Sequence, residues 1–199
     1  MIAIIDYGMG NLKSVEKAFN FLGGDTFVTG SPKEILGASK VVLPGVGAFA
    51  EAVKCIKDTG LDQVINETIR KGKPFLGICL GLQLMFDYSE ENGGFEGLGI
   101  LKGKIKKIDT GLKIPHMGWN SLNIKKENAL FKGLSDNPYV YFVHSFHLVA
   151  DDKEIVTATT EYGEEIEVAV EKDNIFLTQF HPEKSGKTGL KMLENFIEL

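Results

Sequence analysis

Arginine is almost missing from this chain. Of its 22 basic residues only Arg70 is arginine, and the excess of acidic residues leaves a formal charge of −5. With no arginine cluster and no basic tract, the sequence lacks the electrostatic footprint of a nucleic-acid binder. Cysteine is equally scarce, with Cys55 and Cys79 alone. That pair is neither a disulfide scaffold nor at metal-ligand spacing, and reduced thiols fit a cytoplasmic protein. No apolar run approaches the roughly 20 residues that a bilayer span requires, so no membrane partner is expected. The N-terminal Met1-Ile2-Ala3-Ile4-Ile5-Asp6 has no basic leader and reads as a strand, not a signal peptide. What is present is an ordinary globular composition, 43% hydrophobic and 25% charged, in 199 residues. That length can bury a sizeable core.

The first ninety residues alternate short apolar runs with amphipathic stretches. Ile2–Ile5, Thr26–Val28, Lys40–Leu43 and Phe75–Ile78 read as strands, and Leu12–Leu22 reads as a helix. Phe49–Arg70 reads as one long helix, with apolar residues at 49, 53, 56, 61, 64, 65 and 69. From about Ile100 the pattern turns to strands with turn signals between them: Leu101–Ile108, Val140–Val143, Ile155–Thr160, Ile166–Val170 and Ile175–Phe180. Gly186–Ile197 closes the chain as a helix. The expectation is one α/β domain over 1–199, with a mostly parallel, doubly wound central sheet, helices on both faces and a smaller antiparallel section. Ligands of such sheets bind at the carboxyl ends of strands. Asp6-Tyr7-Gly8, Pro44-Gly45-Val46-Gly47 and Cys79 all fall at those ends.

Gly77-Ile78-Cys79-Leu80-Gly81 lies between an apolar strand and the run Leu82-Gln83-Leu84-Met85-Phe86. A glycine-flanked cysteine at a strand-to-helix turn is the thiol form of a nucleophile elbow. Such a turn pushes the side chain into a cleft, and a helix N-terminus behind it favours a thiolate and a developing oxyanion. A thiol nucleophile needs a base, and the base needs an orienting group. Among His116, His144, His147 and His181, the last directly follows an apolar strand in Gln179-Phe180-His181-Pro182-Glu183. In extended chain, residues two apart point to one side, so Glu183 can hold one imidazole nitrogen while the other faces Cys79. Cys79, His181 and Glu183 therefore form a candidate triad. Taken singly, the elbow could be only a structural turn, and His-Pro-Glu only a capped one. Cys55 lies in a helical pattern and reads as a packing or surface residue.

At these residues the chain resembles the class I (triad) glutamine amidotransferases. Within them it is similar to the glutaminase subunits of imidazole glycerol phosphate synthase. The likeness runs from end to end, through Asp6-Tyr7-Gly8-Met9-Gly10-Asn11-Leu12, Leu43-Pro44-Gly45-Val46-Gly47-Ala48-Phe49, the elbow, Pro115-His116-Met117-Gly118-Trp119-Asn120 and Gln179-Phe180-His181-Pro182-Glu183-Lys184-Ser185.

The resemblance implies that Cys79 attacks the side-chain amide of L-glutamine, that His181 moves protons and that Glu183 orients it. It implies an oxyanion site from backbone N–H groups of Leu80 and the Val46-Gly47 turn, whose peptide reorients with the state of a partner. Gly47, Leu80, Gln83 and a strand segment His144-Ser145-Phe146 map onto the glutamine pocket. Asn11, Trp119, Asn120 and Lys184 map onto an interface and gate for a (β/α)₈ cyclase subunit, in a heterodimer of histidine biosynthesis. That cyclase converts ammonia and a phosphoribulosyl-formimino intermediate into imidazole glycerol phosphate and an aminoimidazole carboxamide ribotide. No cofactor or metal is implied. Phe146 stands where tyrosine is common, removing a hydroxyl from the pocket edge. Two further readings stay open: a paralogue supplying ammonia for surface-sugar amidination, and a stand-alone elbow-cysteine hydrolase or redox protein. The latter usually carries its histidine directly after the cysteine, where this chain has Leu80.

Overall fold

The computed structural model describes residues 1–199. Four strands of the first half, β1 (Ile2–Ile5), β2 (Thr26–Thr29), β3 (Lys40–Gly45) and β4 (Phe75–Cys79), run parallel in the order β2-β1-β3-β4. Strand Ile175–Thr178 returns from the far end of the chain to lie parallel beside β4, with Thr178 opposite Ile78. Every residue of β1 and β4 is buried, as expected for parallel strands covered on both faces.

Alternate residues feed two apolar layers. Ala3, Ile5, Val41, Leu43 and Phe75 face one side, with α2 (Pro32–Gly37), α3 (Phe49–Asp58) and α4 (Leu61–Arg70) packed against them. Ile2, Ile4, Val42, Leu76 and Ile78 face the other, under α1 (Leu12–Phe21) and the C-terminal helix Gly186–Glu198. The doubly wound arrangement follows from that alternation.

Beyond Ile175–Thr178 the same sheet continues antiparallel through Glu165–Lys172, Phe146–Ala150 and Gly103–Lys107. A separate hairpin-like pair, His116–Ser121 with Tyr139–His144, stands off this sheet. The expected parallel core with an added antiparallel section is therefore what the chain builds.

One long helix over Phe49–Arg70 is not. Gly60 takes φ 70 and splits it into α3 and α4. Thr59 also turns its hydroxyl back onto the Cys55 carbonyl at 2.7 Å, ending the first helix. The signal lay in the spacing: apolar positions 49, 53 and 56 keep helical phase, and the step to 61 breaks it. Glycine supplies that left-handed turn without steric cost. Strand His116–Ser121 and helix α2 were not anticipated, the former because its apolar residues Met117 and Trp119 face outward while its buried face carries His116.

Candidate active site

Cys79 closes β4 and is followed at once by the short helix α5 (Leu80–Leu84). Its backbone sits at φ 55, ψ −109, a conformation a side-chain-bearing residue adopts only when its surroundings hold it there. What holds it is packing against the neighbouring strand. A Cβ built on Gly81 would come 2.0 Å from the Leu43 carbonyl oxygen of β3, so only glycine lets α5 approach that strand. The elbow is thus formed, and the helix behind it is short, 5 residues.

His181 reaches Cys79 from the adjacent parallel strand, three residues past Thr178. Its backbone is clamped twice: its N–H donates to the Tyr141 carbonyl at 3.0 Å, and its own carbonyl accepts from Ser185 Oγ at 2.6 Å. Glu183 Oε1 lies 2.8 Å from His181 Nδ1, with both side chains buried. The two residues are not on extended chain, as the sequence suggested. The strand ends at Thr178, and Pro182–Lys184 is a 3₁₀ turn that curls the carboxylate back under the ring.

Nε2 of His181 makes no hydrogen bond in this geometry, leaving it free toward the sulfur. Burial acts to lower the His181 pKa, but Cys79 and Glu183 together outweigh it and raise the value to about 9. The imidazolium is the favoured form at neutral pH. Since this value exceeds that of an exposed histidine, His181 contributes stability that is complete below about pH 6.5. That contribution is lost as pH rises through about 9. Denaturant titrations should therefore show the unfolding free energy falling between pH 6.5 and 9, and the His181→Asn chain should lose most of that slope; an equal slope in both chains would contradict the assignment.

A cleft of about 410 Å³ opens above the sulfur. Nine predicted residues line it together: Val46, Gly47, Cys79, Leu80, Gln83, His144, Ser145, Phe146 and His181. Val46 and Gly47 are exposed at its rim, Gly47 with φ 106. His144, Ser145 and Phe146 are not one strand: Tyr139–His144 ends and Phe146–Ala150 begins, with Ser145 at the bend between two sheets. Glu91 also lines the cleft and was missed. Its carboxylate accepts from the Phe49 N–H at 2.9 Å, capping α3, and nothing local in Glu90-Glu91-Asn92 singles it out. Tyr7 was missed too. Its hydroxyl is buried without a partner beside the elbow, and burial first, then Cys79 and Cys55, push its pKa well up. Cys55 packs half-buried against the core, as expected.

The four interface candidates lie outside the cleft. Asn11 shares a narrow crevice behind the triad with Gly45, Val46, His181 and Glu183. Lys184 is exposed next to Glu183. Trp119 is 55% exposed, stacked edge-on against Tyr141 and within 3.7 Å of a Cβ built on Gly186. Asn120 points the other way. Strand alternation turns its amide inward, where it donates to the Glu161 carbonyl at 2.8 Å and accepts from the Ser121 N–H at 2.8 Å.

A cysteine on a strained strand-to-helix turn, beside a buried His–Glu pair just past the adjacent parallel strand, has the arrangement of a cysteine-nucleophile acyl-transfer centre. The chain belongs to the class-I glutamine amidotransferase family, whose model matches residues 3–199. Its relatives narrow this further. The imidazole glycerol phosphate synthase subunit HisH of Caldanaerobacter subterraneus is 54% identical over 199 residues, covering 100% of this chain and 98% of the relative. Subunit HisH 1 of Methanococcus maripaludis is 50% identical, with 100% of each chain covered. Among solved structures, PurLQS from Thermotoga maritima superposes with a TM-score of 0.78 at 19% identity, over 99% of this chain and 97% of that one. At that identity the likeness concerns the fold.

Proposed function

We propose that this chain is the glutaminase subunit of imidazole glycerol phosphate synthase, acting in the cytoplasm in histidine biosynthesis. The observation that carries the reading is the Cys79 elbow facing a His181 that Glu183 holds at 2.8 Å. The names of relatives about half identical over the whole chain support the pathway.

In this reading the Cys79 sulfur attacks the side-chain amide carbon of glutamine, and the carbonyl electrons move onto oxygen. Backbone N–H groups of Leu80 and the Val46-Gly47 turn receive that oxyanion. The His181 proton passes to the departing nitrogen, the C–N bond breaks, and ammonia leaves a glutamyl thioester. Water then gives a proton to His181 and attacks the thioester. The C–S bond breaks and glutamate departs. Gln83, His144, Ser145 and Phe146 shape the glutamine pocket, and the Glu91 carboxylate at its edge offers a charge complement for the substrate's α-ammonium.

The partner is a (β/α)₈ cyclase subunit that consumes the ammonia. Free ammonia at pH 7 is mostly protonated and non-nucleophilic, so transfer within a complex keeps it reactive. An exposed apolar face of Met117, Trp119 and Tyr139 supports docking there. Asn11 and Lys184 flank the triad on the gate side, and inward-facing Asn120 would act from within the interface strand.

Steady-state glutaminase assays test the coupling. Glutamine hydrolysis by the chain alone should be slow, and adding the cyclase subunit with its substrate should accelerate it by about 10²-fold or more, through completion of the oxyanion site. Equal rates with and without the partner would refute the coupling.

A further inference from the structure

We propose that Gln179 is a further catalytic residue: its side-chain N–H holds the Cys79 sulfur, and a hydrogen-bond relay starting at the Phe146 carbonyl fixes it in that orientation. The proposal rests on the reading of Cys79 as the nucleophile.

Gln179 is fully buried, and its Nε2 lies 3.7 Å from Cys79 Sγ. A glutamine amide has two indistinguishable-looking ends, so its direction needs a cause. Here the neighbours supply it. The Phe146 carbonyl can only accept, and it takes hydrogen bonds from His144 Nδ1 at 2.8 Å and Gln83 Nε2 at 3.3 Å. The nitrogen of Gln83 is thereby pointed inward, where it donates again to Gln179 Oε1 at 2.9 Å. With its oxygen so occupied, Gln179 has only its N–H₂ left to face the sulfur.

The other arm of the relay leads to the same polarity. His144 spends its proton on Phe146, so its Nε2 is bare and accepts from His116 Nδ1 at 2.9 Å. His116 Nε2 must then accept, and Asn120 Nδ2 is 3.4 Å away. The direction of that amide is set independently by Glu161 and Ser121. Both ends of the chain of contacts thus agree, and no member can flip alone. Neutral imidazoles are what such a relay requires. Burial lowers the pKa of His116 to about 4 and, as the largest of several causes, that of His144 to about 3. Stacking of His116 between Phe142 and Tyr162, at centroid distances of 4.7 and 4.0 Å, holds its ring in place.

A donor aimed at sulfur favours the charged thiolate over the thiol and over the thioester, so it acts on the attacking form. The other titratable groups around Cys79 are His181 with Glu183 behind it, the un-ionised Tyr7, neutral His144 and Glu91 across the cleft. None of them is a neutral N–H donor held against the sulfur as Gln179 Nε2 is.

The test uses the full chain and iodoacetamide, with mass spectrometry to separate Cys79 from Cys55. In Gln179→Met, which keeps the volume, and in Gln179→Glu, which keeps the acceptor for Gln83, the pH midpoint of Cys79 alkylation should rise by about one unit. The kcat with the cyclase subunit present should fall about tenfold or more, with KM little changed. A wild-type measurement covers the case in which both variants unfold. The chain has three glutamines, Gln63, Gln83 and Gln179, so ¹⁵N-glutamine labelling yields few side-chain amide signals. A buried one should shift on alkylation of Cys79 and track its titration. Unchanged alkylation and kcat in the variants, or buried amide signals indifferent to Cys79, would overturn the proposal. If Cys79→Ala keeps glutaminase activity, the underlying reading fails instead, and the two outcomes are distinct.

Discussion

Cys79→Ala should abolish glutamine-dependent turnover, by about 10⁴-fold or more, while leaving product formation from added ammonium salts intact in the complex with the cyclase. The argument is one of roles. The sulfur is the only thiol in the cleft; of the nearby hydroxyls, Ser145 sits at the bend between two strands and Ser185 Oγ is committed to the His181 carbonyl. The backbone strain at φ 55, ψ −109 is imposed by the turn, not by the thiol, and alanine keeps the Cβ. The variant should therefore fold, with a melting temperature close to the parent chain's and lower only by the share of the His181 contribution that the sulfur supplies. Parallel assays with glutamine and with ammonium at alkaline pH decide the matter. Loss of both activities would mean that Cys79 does something other than release ammonia.

Gly81→Ala should be the most damaging single change to the fold of this region. The added Cβ would meet the Leu43 carbonyl oxygen at 2.0 Å, and both partners are backbone. Leu43 is held in register by β4, where it lies opposite Gly77, so it cannot retreat without opening the central sheet. Overpacking of this kind exceeds the usual core penalty, and a loss of more than about 3 kcal/mol is expected. For a chain of this size that corresponds to a melting temperature lower by about 10 °C. Gly37→Ala is the matched control: it ends α2 with nothing within 4 Å of the added atom, and its melting should stay close to the parent's. Melting curves followed by circular dichroism compare the two. Equal curves for both variants would show that the elbow does not depend on this contact.

Much of the site was legible because its chemistry is concentrated in short segments. Gly77–Gly81 and Gln179–Ser185 each carry their local geometry in their own residues: glycines at a turn, a proline after a histidine, an acid two residues on. The parallel strands were legible because burial on both faces writes uninterrupted apolar runs. Strand His116–Ser121 was hidden, since one of its faces is exposed to solvent and the other is packed with imidazole and amide groups. Glu91 was hidden because a carboxylate in a loop looks like any solvated charge until the fold brings it to the cleft. Gln179 is legible in the sequence only as part of a motif. Its meaning depends on Gln83, 96 residues earlier, and on a carbonyl at Phe146.

By itself the sequence pointed to the groups of the candidate site: one elbow thiol, one histidine with its acid, and glycines where the backbone must come close. Those properties are local, set by covalent geometry and residue type within a few positions. Only the tertiary structure decided how they act together. It placed Cys79 at the end of one strand and His181 just past the end of its neighbour, turned Asn120 inward, and gave a buried amide a single direction. Such facts depend on which strand lies beside which and on polar groups that must find partners once water is excluded, and no stretch of chain specifies these alone.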